Sequence, residues 1–131
     1  MLNAAARLVY SSRRYDHVMP LLRELHWLRM SQRIDHKLAV LVYRCLNGLA
    51  PSYLTNDLQC AADLDARQSL RSASTSTLVV PVMRLLTVGD RAFPVAAARM
   101  WNSLLADVTS SPSLSTFKRR LKTELFVRSY P

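Results

Sequence analysis

Only two glycines, Gly48 and Gly89, occur in 131 residues. Glycine supplies positive-φ turns and lets a backbone approach phosphate closely, because it has no Cβ to clash. A loop-rich β fold, a dinucleotide-binding fingerprint and a P-loop each need several, so nucleotide enzymes of those types are excluded. Half of the residues are hydrophobic and 21% are charged, which is enough apolar surface for a modest core. The expected fold class is mainly α: a small helical domain of about five helices, with a flexible Ser/Thr-rich middle loop and one short β segment.

Along the chain, Leu2, Ala5, Ala6 and Val9 share one face of a predicted helix over 2–14, and Leu21, Leu22, Leu25 and Leu28 continue the periodicity over 19–28 behind Pro20. The strongest stripe is Ile34, Leu38, Leu41, Val42, Cys45 and Leu46, with Ser31 as its expected N-cap and Gly48 and Pro51 as its stop. A helical turn is expected through 51–58. The segment 59–77 reads as a polar linker, since six of the nine residues from Ser69 to Thr77 are Ser or Thr. Leu78 to Met83 is β-favouring, but Pro81 restricts it to an edge strand or extended arm, paired with 85–88 or with another polypeptide. A helix over 91–106 has Phe93, Ala97, Met100, Trp101 and Leu104 inward and Pro94 in its first turn. A last helix runs to about Val127, capped by Ser113, with Leu114, Phe117, Leu121 and Leu125 on one face. These elements divide into an N-terminal helical segment (1–58), the linker (59–77) and a C-terminal part (78–131), expected to form one structural unit.

The net charge is +9, and 15 of the 18 basic residues are Arg. The excess lies at both ends: 1–50 holds eight basic and three acidic residues and 113–131 holds five and one, around a neutral middle. Guanidinium pairs bidentately with phosphate and stacks on bases, so the composition points to a polyanion, RNA or an RNA–DNA hybrid before an acidic membrane. Arg13, Arg14, Arg29, Arg33, Lys118, Arg119, Arg120 and Lys122 are the candidate phosphate contacts, with Tyr10 and Tyr15 as candidate stacking rings. Trp27 and Trp101 are expected to anchor the core, because indole buries a large area.

No catalytic constellation appears. His17, His26 and His36 are separated by 9 and 10 residues, a spacing no metal site uses. There is no G-x-S-x-G elbow and no Asp-Asp pair for two-metal chemistry, so no catalytic residue, metal or cofactor is expected. Cys45 and Cys60 make neither a disulfide framework nor a C-x-x-C clamp, and both are expected reduced. The densest apolar stretch, Leu38 to Leu46, is interrupted by Arg44 and is far short of the roughly 20 residues of a membrane span. Nucleus or cytoplasm is the expected compartment. The Arg- and Ser-bearing, acid-free stretch Met1 to Tyr15 leaves a mitochondrial presequence as the alternative.

Seven stretches taken together carry a family resemblance: NAAARLV (3–9), DHVMPLLRELHWL (16–28), QRIDHKLAVLVYRCLNGLAPSYL (32–54), SLRS (69–72), LVVP (78–81), GDRAFPVAAARMWNSL (89–104) and SLSTFKRRLKTELF (113–126). In order and spacing they resemble the extreme C-terminal region of the reverse-transcriptase polyprotein of LINE-type, non-LTR retrotransposons of the jockey-like clade. The resemblance implies a tail that follows the fingers, palm and thumb and lacks the palm aspartates, with the upstream polymerase domains as partners. It also implies a 5′-truncated origin, in which Met1 is an internal methionine. Three positions depart from the family pattern: Arg29 after Leu28, Arg99 after Ala98, and Leu105 each stand where the family has Pro. Three φ restraints are thereby lost, as expected of a drifting copy. The expected function is non-catalytic backbone binding to RNA or DNA. The alternatives are a structural or protein-interaction module, in which the apolar faces of 31–47 and 113–127 seek a partner, and an inert translated relic.

Overall fold

The computed structural model describes residues 1–58, 78–82, 84 and 86–131. Its helical segments are α1 (Leu2–Val9), α2 (Met19–Glu24), α3 (Met30–Leu46), α4 (Ser52–Thr55), α5 (Leu86–Gly89), α6 (Phe93–Asn102), α7 (Ala106–Thr109) and α8 (Leu114–Ser129). The fold is mainly α, as expected. The linker expected at 59–77, with Cys60, lies outside the described residues.

Three helices end in the same hydrogen-bond pattern. After α3, Gly48 at φ +69° donates to the Cys45 carbonyl (3.3 Å) and Leu49 to the Arg44 carbonyl (2.8 Å). This pair is the Schellman motif, in which a left-handed residue turns the chain back over the orphan carbonyls. The same pair follows α1 at Ser11 (φ +50°), where Ser11 donates to Leu8 and Ser12 to Arg7. It recurs after α2 at His26 (φ +53°), where His26 donates to Arg23 and Trp27 to Leu22. A side chain in this region costs roughly 1–2 kcal/mol. The helices expected over 2–14 and 19–28 therefore end early, at Val9 and Glu24, stopped by residues that are not the usual Gly.

The other boundaries follow their caps. Ser113 accepts from the Thr116 amide (3.3 Å) and starts α8, as expected. Ser31 does not cap α3: the helix begins one residue earlier, from an extended Arg29, and the Ser31 hydroxyl turns to Gln32. The helix expected over 91–106 breaks at 103–105 into α6 and α7, because the Ser103 hydroxyl bonds the Met100 carbonyl (2.7 Å) and Leu105 becomes the extended N-cap of α7.

The core forms where α3 crosses α8 and α6. Phe117, Leu121 and Leu125 of α8, with Leu114 partly buried, face Ala39, Val42 and Tyr43 of α3 and Ala97, Met100 and Trp101 of α6. The Tyr43 and Phe117 rings stack at 4.4 Å, and Trp101 tilts against Phe117 at 5.8 Å. Of the two tryptophans expected as anchors, Trp101 is buried in the core, whereas Trp27 is half-buried and outside it. On α3 the inward face is rotated from the expected stripe: Tyr43 is buried and Ile34, in the first turns beyond the crossing, is 60% exposed. The Tyr43 hydroxyl donates to the buried Ser111 carbonyl (2.9 Å), which explains how a phenol sits inside. The buried apolar residues of the third and last helices thus pack together, whereas Ile34 and Val127 stay exposed.

Leu78 is clasped by a side-chain amide from α6. Its amide donates to Asn102 Oδ1 (2.9 Å) and its carbonyl accepts from Asn102 Nδ2 (2.8 Å), so one side-chain amide at the end of α6 satisfies both backbone groups. The expected pairing with 85–88 fails because 86–89 is a helical turn. The Leu78 side chain, 2% exposed, closes the core beneath this clasp.

Candidate nucleic-acid interface

Because Phe117, Leu121 and Leu125 point inward, the 100° step of the helix parts the run KRRLK between two flanks of α8. On one flank Lys122 meets α3. There Arg33, His36 and Lys37 lie on neighbouring turns and, with Lys122, His26, Trp27 and Leu28, line a cleft of about 420 Å3. Lys118, one turn before Lys122, lies beside His36. All three lysines of the chain therefore gather about one imidazole. No acidic residue lines the cleft among the described residues.

His36 is half-buried between α3 and α8. Burial pushes its imidazole down, a hydrogen bond to the Lys118 backbone opposes this, and the Lys118 and Lys122 ammonium groups push it down further. The cleft is therefore lined by three permanent cations, with Lys118 as a fourth beside the same neutral ring. The left-handed turn after α2 adds His26 and Trp27 to the cleft lining. His26, in the left-handed region, lays its ring on Phe126 at 5.4 Å, and Phe126 in turn packs against Tyr130 at 4.8 Å. The Tyr130 hydroxyl donates to the Trp27 carbonyl (2.9 Å) and fixes Trp27, which is half-buried, at the cleft edge.

The other candidates lie elsewhere. On the second flank of α8, Arg119 and Arg120 line a groove with Leu105, Val108 and Val127, and Arg120 is bonded to the Asp107 carbonyl (2.7 Å). Arg128 in the same groove pairs with Glu124 and the Ser103 carbonyl. Arg29 stands beside Tyr130, at the start of α3. Arg13, Arg14 and the 92% exposed Tyr15 lie in the turn after α1, where the Arg13 amide donates to the Asp16 carboxylate (2.8 Å). Tyr10 leans toward α2: burial and the Glu24 carboxylate that accepts from its hydroxyl push the phenol up. Of the ten candidates, Arg33, Lys118 and Lys122 come together across α3 and α8, while Arg119 and Arg120 share the other groove.

Lys37, His36, His26 and Trp27 complete the cleft and were not among the candidates. The signal for Lys37 was present as matching i, i+4 pairs, Arg33 with Lys37 and Lys118 with Lys122, on two helices that share an apolar period. Among the described residues, no group of three or more His, Cys, Asp or Glu could hold a metal ion, and no helix is long and apolar enough to cross a membrane. Comparison with family models, curated proteins and solved structures gives no match for this chain.

Proposed function

We propose that this chain is a non-catalytic, nucleic-acid-binding tail of the kind that ends LINE-type retrotransposon reverse transcriptases, and that it contacts the phosphate backbone of RNA or an RNA–DNA hybrid. The observation that carries the binding is the α3–α8 cleft, in which Arg33, Lys37, Lys118 and Lys122 converge with no carboxylate among its lining residues. Like charges held together around a half-buried ring repel one another, and an anion relieves the repulsion. The retrotransposon assignment rests on the seven sequence stretches and their order.

Binding of a labelled RNA across a salt series tests it. Several phosphate contacts give a steep negative slope of log affinity against log salt, and Lys122→Ala lowers that slope by about one contact. A slope near zero removes the proposal.

A second reading rests on the exposed apolar side chains Leu8, Val9, Met30 and Ile34 around α1 and the start of α3. In a longer polyprotein this surface would meet the upstream polymerase domains. Light scattering of the isolated chain addresses it: self-association that Ile34→Glu abolishes supports a covered surface, and a monomer at all concentrations opposes it.

A further inference from the structure

Resting on the backbone-binding proposal, we infer that the cleft receives one unpaired nucleotide of a single strand, its phosphate among the lysines and its base against Trp27. Three observations lead there. The volume, about 420 Å3, falls in the range of small-ligand sites and is far too small for a duplex, whose bases stay paired at the helix axis. The lining combines the cations Arg33 and Lys37 of α3 and Lys122 of α8 with the aromatic pair His26 and Trp27 from the turn after α2. Cations for the phosphate together with rings for the base in one cleft are the combination by which single strands are held.

The geometry of the aromatic pair also fits a fixed platform. Trp27 follows His26, whose left-handed backbone turns the chain sharply, and the Tyr130 hydroxyl holds the Trp27 carbonyl from the end of α8. The other tryptophan, Trp101, is 3% exposed beneath Phe117 and is out of reach of any ligand. Tyr10 and Tyr15 lie on other surfaces, so the stacking ring is Trp27.

The test uses the full chain and three probes of equal length and charge: a short oligouridylate, the same strand with abasic residues, and a hairpin duplex. Loss of one stacked base lowers affinity about tenfold, so the oligouridylate binds about tenfold more tightly than the abasic strand and the duplex. It also quenches tryptophan emission, and the quenching persists in Trp101→Phe. Trp27→Leu brings the oligouridylate down to the abasic affinity, and Trp27→Phe restores part of the difference. Equal binding of the three probes with a steep salt dependence overturns this inference and leaves the backbone proposal standing. Absence of salt-dependent binding to every probe overturns both. The comparison of natural and abasic strands needs no substitution, so it decides the matter even if Trp27→Leu fails to fold.

Discussion

Asn102→Ala removes the two hydrogen bonds that hold the Leu78 backbone, at 2.9 and 2.8 Å, without touching the core directly. Each bond of this kind contributes about 1 kcal/mol net, so the loss begins near 2 kcal/mol. If the arm then detaches, burial of the Leu78 side chain is lost as well, a further ~2 kcal/mol. Asn102 is itself exposed, so water can reach the freed groups, and the expected value lies toward the lower end, about 2 kcal/mol. Asn102→Asp is at least as damaging, because it keeps an acceptor for the Leu78 amide but sets a carboxylate against the Leu78 carbonyl. Urea denaturation measures the midpoint shift, and hydrogen exchange at the Leu78 amide reads whether the arm has opened. A shift within about 0.5 kcal/mol, with that amide still protected, would refute the view that the Asn102 side-chain amide holds the Leu78 backbone in place.

Other substitutions probe the remaining features. Ser11→Gly relieves a left-handed side chain at an exposed helix end and raises stability by about 1 kcal/mol, read as a higher denaturation midpoint. Tyr43→Phe keeps the stack on Phe117 but leaves the buried Ser111 carbonyl without its donor, lowering stability by about 1–3 kcal/mol in the same assay. The His36 imidazole is depressed by burial and faces Arg33 and Lys37 on its own helix, Lys118 and Lys122 on α8, and His26 from the preceding turn. Above the unfolded value of about 6.5 its contribution is complete; below it the unfolded chain takes up the proton first, so stability falls as pH drops through the folded value, and His36→Gln removes that slope. Oligonucleotide affinity moves the other way over this interval, rising as pH falls, because a bound phosphate favours the charged ring; isothermal titration at several pH values follows both the affinity and the proton uptake.

The inward faces of α6 and α8 were legible because their apolar residues keep the helical period without competition, and Ser113 carries its cap in its own side chain. The ends of α1 and α2 were not, because Ser11 and His26 carry no glycine signal for the left-handed region; at His26 the stack on Phe126 accompanies that backbone. Tyr43 was missed as a core residue because its burial depends on the Ser111 carbonyl, 68 residues away. The cleft shares this dependence on distance. Arg33 and Lys122 were individually visible as basic residues, but their convergence requires α3 to cross α8, and the flank on which each lies follows from which residues of α8 are buried.

That crossing divides the cations of the chain by their surroundings. Arg120 reaches the Asp107 carbonyl, Arg128 pairs with Glu124, Arg99 with Asp90 at 3.0 Å, and Arg7 bonds the Asp16 carbonyl. Each of these guanidinium groups fastens one element to another or extends a helix end. Arg33, Lys37, Lys118 and Lys122 have no carboxylate within ion-pair distance among the described residues. Their mutual repulsion is borne by the contact between α3 and α8, the same contact that builds the core, so it works against the fold. A surface selected by stability alone would separate these charges or place an acid among them. The paired arginines are explained by the architecture they tie together, whereas the four cations of the cleft become favourable only when an anion lies between them.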